Sequence, residues 1–101
     1  MELSKHKRIR NRKVIQEMRK QICERCGKPS YGEPHHVYTV GSGGGDIREN
    51  LIQLCADCHI AAHAGHVGKS ELIDIVAERE GVTSDNVIKA NRKAMGYEVE
   101  E

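Results

Sequence analysis

The chain has 101 residues, enough for one domain and too short for two ordinary ones. It contains no Trp, no Phe and only three Tyr, so its apolar core is small, and such chains usually depend on a disulfide, a metal or a partner for stability. No segment is long and apolar enough to cross a bilayer, and the polar N-terminus lacks the apolar stretch of a secretory signal. We therefore expect a single cytoplasmic domain with no membrane partner.

The net charge of +1 conceals an uneven distribution of charged residues along the chain. Residues 1–22 carry eight Lys and Arg against two Glu, a balance of +6, whereas residues 23–69 come to −1 and residues 70–101 to −4. A dense basic segment suits the phosphate backbone of a nucleic acid. A solubilising arm explains the charge of this segment equally well.

The basic segment is predicted to form a helix over residues 4–22, because it lacks Gly and Pro and begins with Ser4 as a candidate N-cap. Its apolar residues recur at spacings of three to five and form a narrow stripe of Ile9, Val14 or Ile15, Met18 and Ile22. This helix would dock by one side and present cations on its other faces. The cations are Lys7, Arg8, Arg10, Arg12 and Lys13.

The middle of the chain predicts two short strands followed by a helix. Residues 35–40 and residues 51–54 are rich in β-forming side chains, and the glycine-rich loop from Gly41 to Gly45 separates them. Residues 56–64 are predicted to be helical, with Gly65 ending the helix.

Two more helices are predicted after residue 69. Ser70 is expected to cap a helix over residues 71–80 that Gly81 ends, and a second helix should run from Thr83 or Ser84 to Met95. Packing or dimerisation is the expected role of this pair. The acidic tail 97–101 is expected to fray.

All four cysteines occur in two Cys-x2-Cys pairs, which are separated by 28 residues. In a reducing compartment this spacing is typical of metal ligands rather than disulfides. Four thiolates complete a tetrahedral zinc site, which stabilises the fold and has no open position for chemistry. We therefore predict a structural zinc ion bound by Cys23, Cys26, Cys55 and Cys58.

Four of the six histidines fall in the same region of the chain. His59 and His63 lie four residues apart on the predicted helix, so both project from one face, although such a pair alone is more typical of an ordinary polar surface. His35 and His36 begin the first strand, which the zinc-closed hairpin would bring beside the helix. Three imidazoles could then meet at one divalent cation and leave positions open for water and phosphate. Strict strand alternation would send His35 and His36 to opposite faces, unless the backbone turns after Pro34.

These landmarks together resemble the HNH endonucleases. The order Cys-x2-Cys, His-His-Val, Gly-Gly-x-Asp, Asn-Leu, Leu-Cys-x2-Cys-His and x3-His runs from residue 23 to about residue 66. The resemblance implies a small α+β fold with a ββα-metal core stapled by a four-cysteine zinc. We expect one domain over residues 1–101, in which a basic N-terminal helix (1–22) and a C-terminal helix pair with its tail (67–101) flank the core (23–66).

The resemblance also implies roles for individual residues. His35 corresponds to a metal ligand where many relatives have Asp, and His36 to the general base that takes a proton from the attacking water. Asn50 corresponds to the family's central Asn, whose side chain binds loop backbone and orients the base. His59 is the second metal ligand, and His63 is either a third ligand or a phosphate contact.

The implied activity is metal-dependent hydrolysis of DNA phosphodiester bonds by a one-metal mechanism, which leaves 5′-phosphate and 3′-hydroxyl ends. A neutral imidazole, with an ordinary pKa of about 6.5, suits the base, and a cation must offset the charge of the phosphate. Imidazole ligands favour transition metals while the family works with Mg²⁺ or Mn²⁺, so the catalytic ion is left open among Mg²⁺, Mn²⁺, Ni²⁺ and Zn²⁺. Double-stranded DNA is the expected substrate, contacted by Arg48 and the cations of the basic helix.

Two other interpretations are considered. A non-catalytic zinc module that binds nucleic acid through its basic helix explains the cysteines and the charge, but it gives no reason for the placed histidines and Asn50. The C-terminal helices could also dock a partner in a phage packaging or recombination machine, a role that is compatible with catalysis. A single active site would need a homodimer or two encounters to cut both strands.

Overall fold

The computed structural model describes residues 7–97 and shows a small α+β fold, as predicted. The helices are α1 (Arg12–Met18), α2 (Ala56–His63), α3 (Lys69–Glu80) and α4 (Ser84–Ala94). Strand β1 (His35–His36) pairs antiparallel with β2 (Leu51–Ile52), and short 3₁₀ turns cover Val40–Ser42 and Arg48–Asn50. None of the helices within residues 7–97 is long and apolar enough to cross a membrane.

Both strands are shorter than predicted, and the neighbouring residues explain why. Pro34 has no N–H with which to extend β1 backward. After β1, the side chain of Asn50 takes over the pairing, because its Oδ1 accepts from the Tyr38 N–H at 2.6 Å and its Nδ2 donates to the Tyr38 carbonyl at 3.0 Å. Beyond β2, the Gln53 N–H donates to the Glu24 carboxylate at 2.7 Å. The hairpin is therefore closed by side chains at both ends.

The main core lies between β2, the two cysteine turns, α3 and α4. Its most buried members include Ile52, Leu72, Val76 and Val87, which are at most 2% exposed. The cysteines Cys23, Cys55 and Cys58 belong to the same cluster, so the metal-binding turns are part of the core. A smaller cluster joins α1 to the sheet.

Helix α1 begins at Arg12, and the prediction that it starts near Ser4 is wrong for the residues described. Asn11 is its N-cap, and the Asn11 side chain accepts hydrogen bonds from the backbone of Lys13 and Val14. Before it, the Ile9 carbonyl accepts from the Asp46 N–H at 2.9 Å, which ties residues 7–11 to the glycine loop instead of to a helix. Ser4 itself lies outside the described residues.

Helix α1 ends at Met18 rather than at Ile22. Arg19 is extended, so the helix does not continue through it. The Lys20 N–H donates at 3.0 Å to the Gln53 side chain instead of to a carbonyl of the preceding helical turn. Only the central part of the predicted apolar stripe is buried: Ile15 and Met18 pack against Leu51, whereas Ile22 is 59% exposed.

The C-terminal helices lie close to their predicted positions. Gly81 ends α3 with φ +72°, a conformation that favours glycine, and the Thr83 side chain caps α4. The predicted cap Ser70 is wrong, because α3 begins at Lys69 after Gly68 and no side chain caps it. The residues 98–101 of the predicted frayed tail lie outside the described part of the chain.

Arg79 connects α3 to the sheet. Its guanidinium donates to the Glu24 carboxylate at 3.1 Å, to the Leu51 carbonyl at 2.8 Å and to the Arg48 carbonyl at 2.6 Å. These bonds connect α3 to a carboxylate before the sheet, to β2 and to the 3₁₀ turn that precedes β2. Through Arg79, helix α3 therefore holds the hairpin in place.

Candidate metal centres and active site

The four cysteines form one cluster, in which all four sulfur atoms lie within 4.8 Å of one another. Cys26 Sγ and Cys55 Sγ are 3.6 Å apart. Sulfurs that bind zinc tetrahedrally at about 2.3 Å lie about 3.8 Å from each other, so the donor set and its spacing fit a zinc ion. The predicted arrangement of these four ligands is confirmed.

Backbone N–H groups lie close to two of the four sulfur atoms. The N–H groups of Arg25 and Cys26 each lie 3.4 Å from Cys23 Sγ, and the Cys58 N–H lies 3.5 Å from Cys55 Sγ. Burial raises the pKa of Cys23, but these and neighbouring N–H donors outweigh it and lower the pKa. Metal binding requires deprotonated sulfur, so the first turn favours the form of Cys23 that can bind a metal.

Arg25 lies between the sulfur cluster and α3. Its Nη1 is 3.5 Å from Cys58 Sγ, and its Nε donates to Glu71 at 2.8 Å. Burial raises the pKa of Cys58, and the nearby guanidinium opposes that effect. A site of four thiolates and one Zn²⁺ carries two excess negative charges, which the Arg25 cation partly offsets.

A second cluster contains His35, His59 and His63, whose candidate ligand atoms also lie within 4.8 Å of one another. Strand β1 presents His35, and α2 presents the other two from adjacent turns. The ring centroid of His35 is 5.0 Å from that of His59 and 5.3 Å from that of His63. The sequence therefore predicted correctly that these three imidazoles would come together.

The geometry of the three imidazoles fits a divalent cation. His59 Nε2 and His63 Nε2 are 3.0 Å apart, which is the separation expected of two nitrogens about 2.1 Å from one ion and at right angles to each other. Burial, followed by repulsion from neighbouring imidazoles, lowers the pKa of His35 to about 4 and shifts that of His59 in the same direction. Neutral imidazoles are the form that binds a metal.

His36 points away from this cluster. Its Nε2 lies 2.8 Å from Asp46 Oδ1 on the glycine loop. Strand alternation thus sends His35 toward α2 and His36 toward the loop, without the backbone turn that a shared ligand site would require. Both rings nevertheless line the same open cleft, about 780 Å³ in volume, together with His59 and His63.

Asp46 is a site residue that sequence reasoning did not identify, although it closes the Gly-Gly-x-Asp segment. Its side chain is 3% exposed and accepts hydrogen bonds from Arg8 Nη1 at 2.9 Å and from the Asn11 N–H at 2.8 Å, besides its bond with His36. Burial raises the pKa of Asp46, but these partners outweigh it and lower the pKa to about 2. The carboxylate is therefore ionised at neutral pH.

The carboxylate of Asp46 should stabilise the fold in a pH-dependent way. A folded pKa of about 2, against the ordinary value of 3.8, corresponds to about 2 kcal/mol that is fully present above pH 4 and is lost as the pH falls toward 2. We expect Asp46→Asn to lower the free energy of unfolding by this amount near pH 7. Urea titrations of both proteins should show the difference shrinking on acidification; a difference that is independent of pH would contradict this account.

Asn50 holds the loop that carries Asp46. Its side chain is fully buried, and besides its bonds to Tyr38 its Nδ2 donates to the Gly45 carbonyl at 3.0 Å. The loop passes so closely that a Cβ on Gly44 would collide with the Tyr38 carbonyl. Asn50 thus connects β2, the end of β1 and the glycine loop.

The predicted DNA contacts fall into two groups. Lys7, Arg10 and Lys13 have exposed side chains. The other three make ion pairs within the chain: Arg8 with Asp46 at 2.9 Å, Arg12 with Glu33 at 2.8 Å and Arg48 with Glu80 at 3.0 Å. Their acidic partners are far away in sequence, so local charge counting could not reveal these pairs.

Comparison with known proteins gives two matches. The family model described as HNH endonuclease matches residues 23–65. The Type IV methyl-directed restriction enzyme EcoKMcrA of Escherichia coli (strain K12) is 38% identical over 71 residues, which are 61% of this chain and 25% of that enzyme. This chain therefore aligns with only about a quarter of the relative's length. No solved structure matches the chain.

The family match covers the residues that carry both clusters. The four cysteines, the three clustered imidazoles, the His36–Asp46 pair and Asn50 all lie within residues 23–65. The resemblance seen in the sequence is thereby confirmed, since residues 23–65 match the family model described as HNH endonuclease.

Proposed function

We propose that this chain is a metal-dependent endonuclease that hydrolyses phosphodiester bonds of double-stranded DNA by a one-metal mechanism, leaving 5′-phosphate and 3′-hydroxyl ends. The observation that carries the proposal is that four imidazoles in one cleft have two different environments: three of them converge, and the fourth is paired with a carboxylate. A purely structural zinc module has no use for this second group.

His35, His59 and His63 would hold the catalytic cation, and the 3.0 Å separation on α2 favours His63 as a ligand over a phosphate contact. A divalent cation bound there supplies positive charge to the phosphate and to the leaving oxygen. Three protein ligands leave positions open on the side of the cleft.

His36 is the proposed general base, and its hydrogen bond determines its tautomer. An ionised carboxylate only accepts hydrogen bonds, so the nitrogen that faces Asp46, Nε2, carries the proton. Nδ1 is then the basic nitrogen and can take a proton from water in the cleft. Asp46 also stabilises the imidazolium that forms, the role that a buried Asp has beside the His of a catalytic triad.

Asn50 and Arg8 are proposed to position this pair. Asn50 fixes the glycine loop, and Arg8 donates to the same Asp46 oxygen, Oδ1, that His36 contacts. A base displaced by about 1 Å can lose much of its effect, so these bonds are expected to matter for rate.

The test is conversion of supercoiled plasmid by protein that carries about one zinc per chain and no second metal. Mg²⁺, Mn²⁺, Ni²⁺ or Zn²⁺ is then added separately. We expect ion-dependent nicking to precede linearisation, because one active site cuts one strand at a time. Absence of conversion with every ion, despite bound zinc and measurable DNA binding, would leave a zinc-stabilised nucleic-acid-binding module. A homodimer stays a proposal that a measurement of the oligomeric state would test. A packaging or recombination partner also stays a proposal.

A further inference from the structure

Tyr31 is the most exposed of the chain's large hydrophobic residues within the described range, at 79%. It lines the cleft that contains His35, His59 and His63. It also lines a second, smaller cavity of about 220 Å³, whose other walls include Arg19 and Lys20. Tyr31 thus borders both the cleft of the proposed cation site and a basic pocket.

The backbone around Tyr31 is held firmly although its ring is exposed. The Gln53 side chain, fully buried, donates to Ser30 Oγ at 2.7 Å and to the Gly32 carbonyl at 2.9 Å. Ser30 Oγ donates in turn to the Leu54 carbonyl at 2.8 Å, and Arg19 donates to the Tyr31 carbonyl at 3.1 Å. Packing of the core does not explain why these groups fix a loop that presents an aromatic ring to solvent.

We propose that Tyr31 is a stacking platform for one unpaired nucleobase of the cleaved DNA strand, next to the phosphate at the histidine cluster. This inference rests on the proposed nuclease function. The adjoining phosphate would reach the pocket of Arg19 and Lys20. Alternation of phosphate sites with an aromatic face is the pattern by which proteins bind single strands.

The charges around the cleft are compatible with this ligand. Glu33 lies on the cleft but is paired with Arg12 at 2.8 Å, and Arg19 is a second guanidinium on the same side. Lys20 shares its charge with Glu24 at 3.2 Å, so Arg19 is the better candidate for the phosphate. The apolar walls Pro29, Pro34 and Val40 suit a sugar or a base edge.

The proposal predicts a substrate class. Taking a base out of a duplex costs free energy, and the cost is smallest where the base is already mismatched, bulged or single-stranded. The wild-type chain should therefore cut a duplex with one unpaired nucleotide faster than a fully matched duplex. Tyr31→Ala should cut both at the same rate.

A binding experiment tests the platform separately from cleavage. The zinc-loaded His36→Ala chain, used to prevent turnover, is titrated into a single-stranded oligonucleotide of about 12 nucleotides that carries 2-aminopurine, whose fluorescence falls on stacking. We expect quenching, which disappears in Tyr31→Ala together with an about tenfold loss of affinity. Tyr31→Phe keeps the ring and should bind within about twofold of the parent.

Tyr97→Ala is the matched control, because Tyr97 is a second exposed tyrosine, at 52%, but lies against Arg92 far from the cleft in sequence. Equal effects of Tyr31→Ala and Tyr97→Ala, or quenching that persists in Tyr31→Ala, would overturn the proposal. If quenching depends on Tyr31 but the wild-type chain cuts no DNA with any ion, the stacking platform is supported and the nuclease function is rejected.

Discussion

His36→Ala is expected to abolish plasmid cleavage while zinc content and DNA affinity stay at wild-type values. General bases typically contribute about 10²- to 10⁴-fold to rate, and the other three imidazoles that line the cleft cannot substitute, since they converge on the proposed cation site. His36 is only partly buried and is absent from the core clusters, so its removal leaves the fold intact. Single-turnover cleavage with the most active ion is the measurement.

His66→Ala provides the matched control, because His66 is exposed in the loop after α2 and belongs to neither metal cluster. It should cut like the wild type. Undiminished cleavage by His36→Ala would remove His36 from the mechanism. Partial recovery of His36→Ala by added imidazole would identify the missing function as proton transfer, because a small base can enter the open cleft.

Cys55→Ser is expected to lose zinc and to unfold the hairpin. Structural zinc contributes about 10–16 kcal/mol of binding free energy in small zinc peptides, whereas a whole domain is stable by only about 5–15 kcal/mol. Cys55 is also 4% exposed within the main core and is the N-cap of α2, so a hydroxyl there replaces both a ligand and a packed apolar atom. Metal analysis, circular dichroism and thermal melting measure the outcome.

Ala56→Ser makes a similar change at the adjacent, exposed position and should keep zinc and the melting transition. The comparison separates loss of the ligand from the general effect of a new hydroxyl at the start of α2. If Cys55→Ser kept the zinc content and the melting temperature of the wild type, the four-sulfur site would not be required for folding.

Features with short sequence spacing were predictable. The Cys-x2-Cys pairs, the His pair on α2 and the glycine that ends α3 each depend on residues a few positions apart, and the structure shows all of them. The family pattern added the central Asn and the relation of β1 to α2. Metal clusters are predictable because the ligands can be recognised in the sequence by their side-chain chemistry and their spacing.

Features that depend on distant partners were not predictable. The start of α1 is set by contacts of Ile9 and Asn11 with Asp46, more than 30 residues later, and the strands end where Asn50 and Glu24 replace backbone pairing. The same distance concealed the role of Asp46 and the ion pairs of Arg8, Arg12 and Arg48. Local propensity says little about a hydrogen bond whose partner is brought in by the fold.

Helix α2 carries Cys58 and His59 as sequence neighbours, so one turn of helix belongs to both metal clusters. Cys55 is the N-cap of α2, and its carbonyl accepts a hydrogen bond from the His59 N–H at 2.8 Å. Zinc at the sulfur cluster would therefore also stabilise the helical turn that presents His59 to the imidazole cluster. Under the proposed function, cleavage would therefore depend on zinc at the sulfur cluster as well as on the cation at the imidazole cluster.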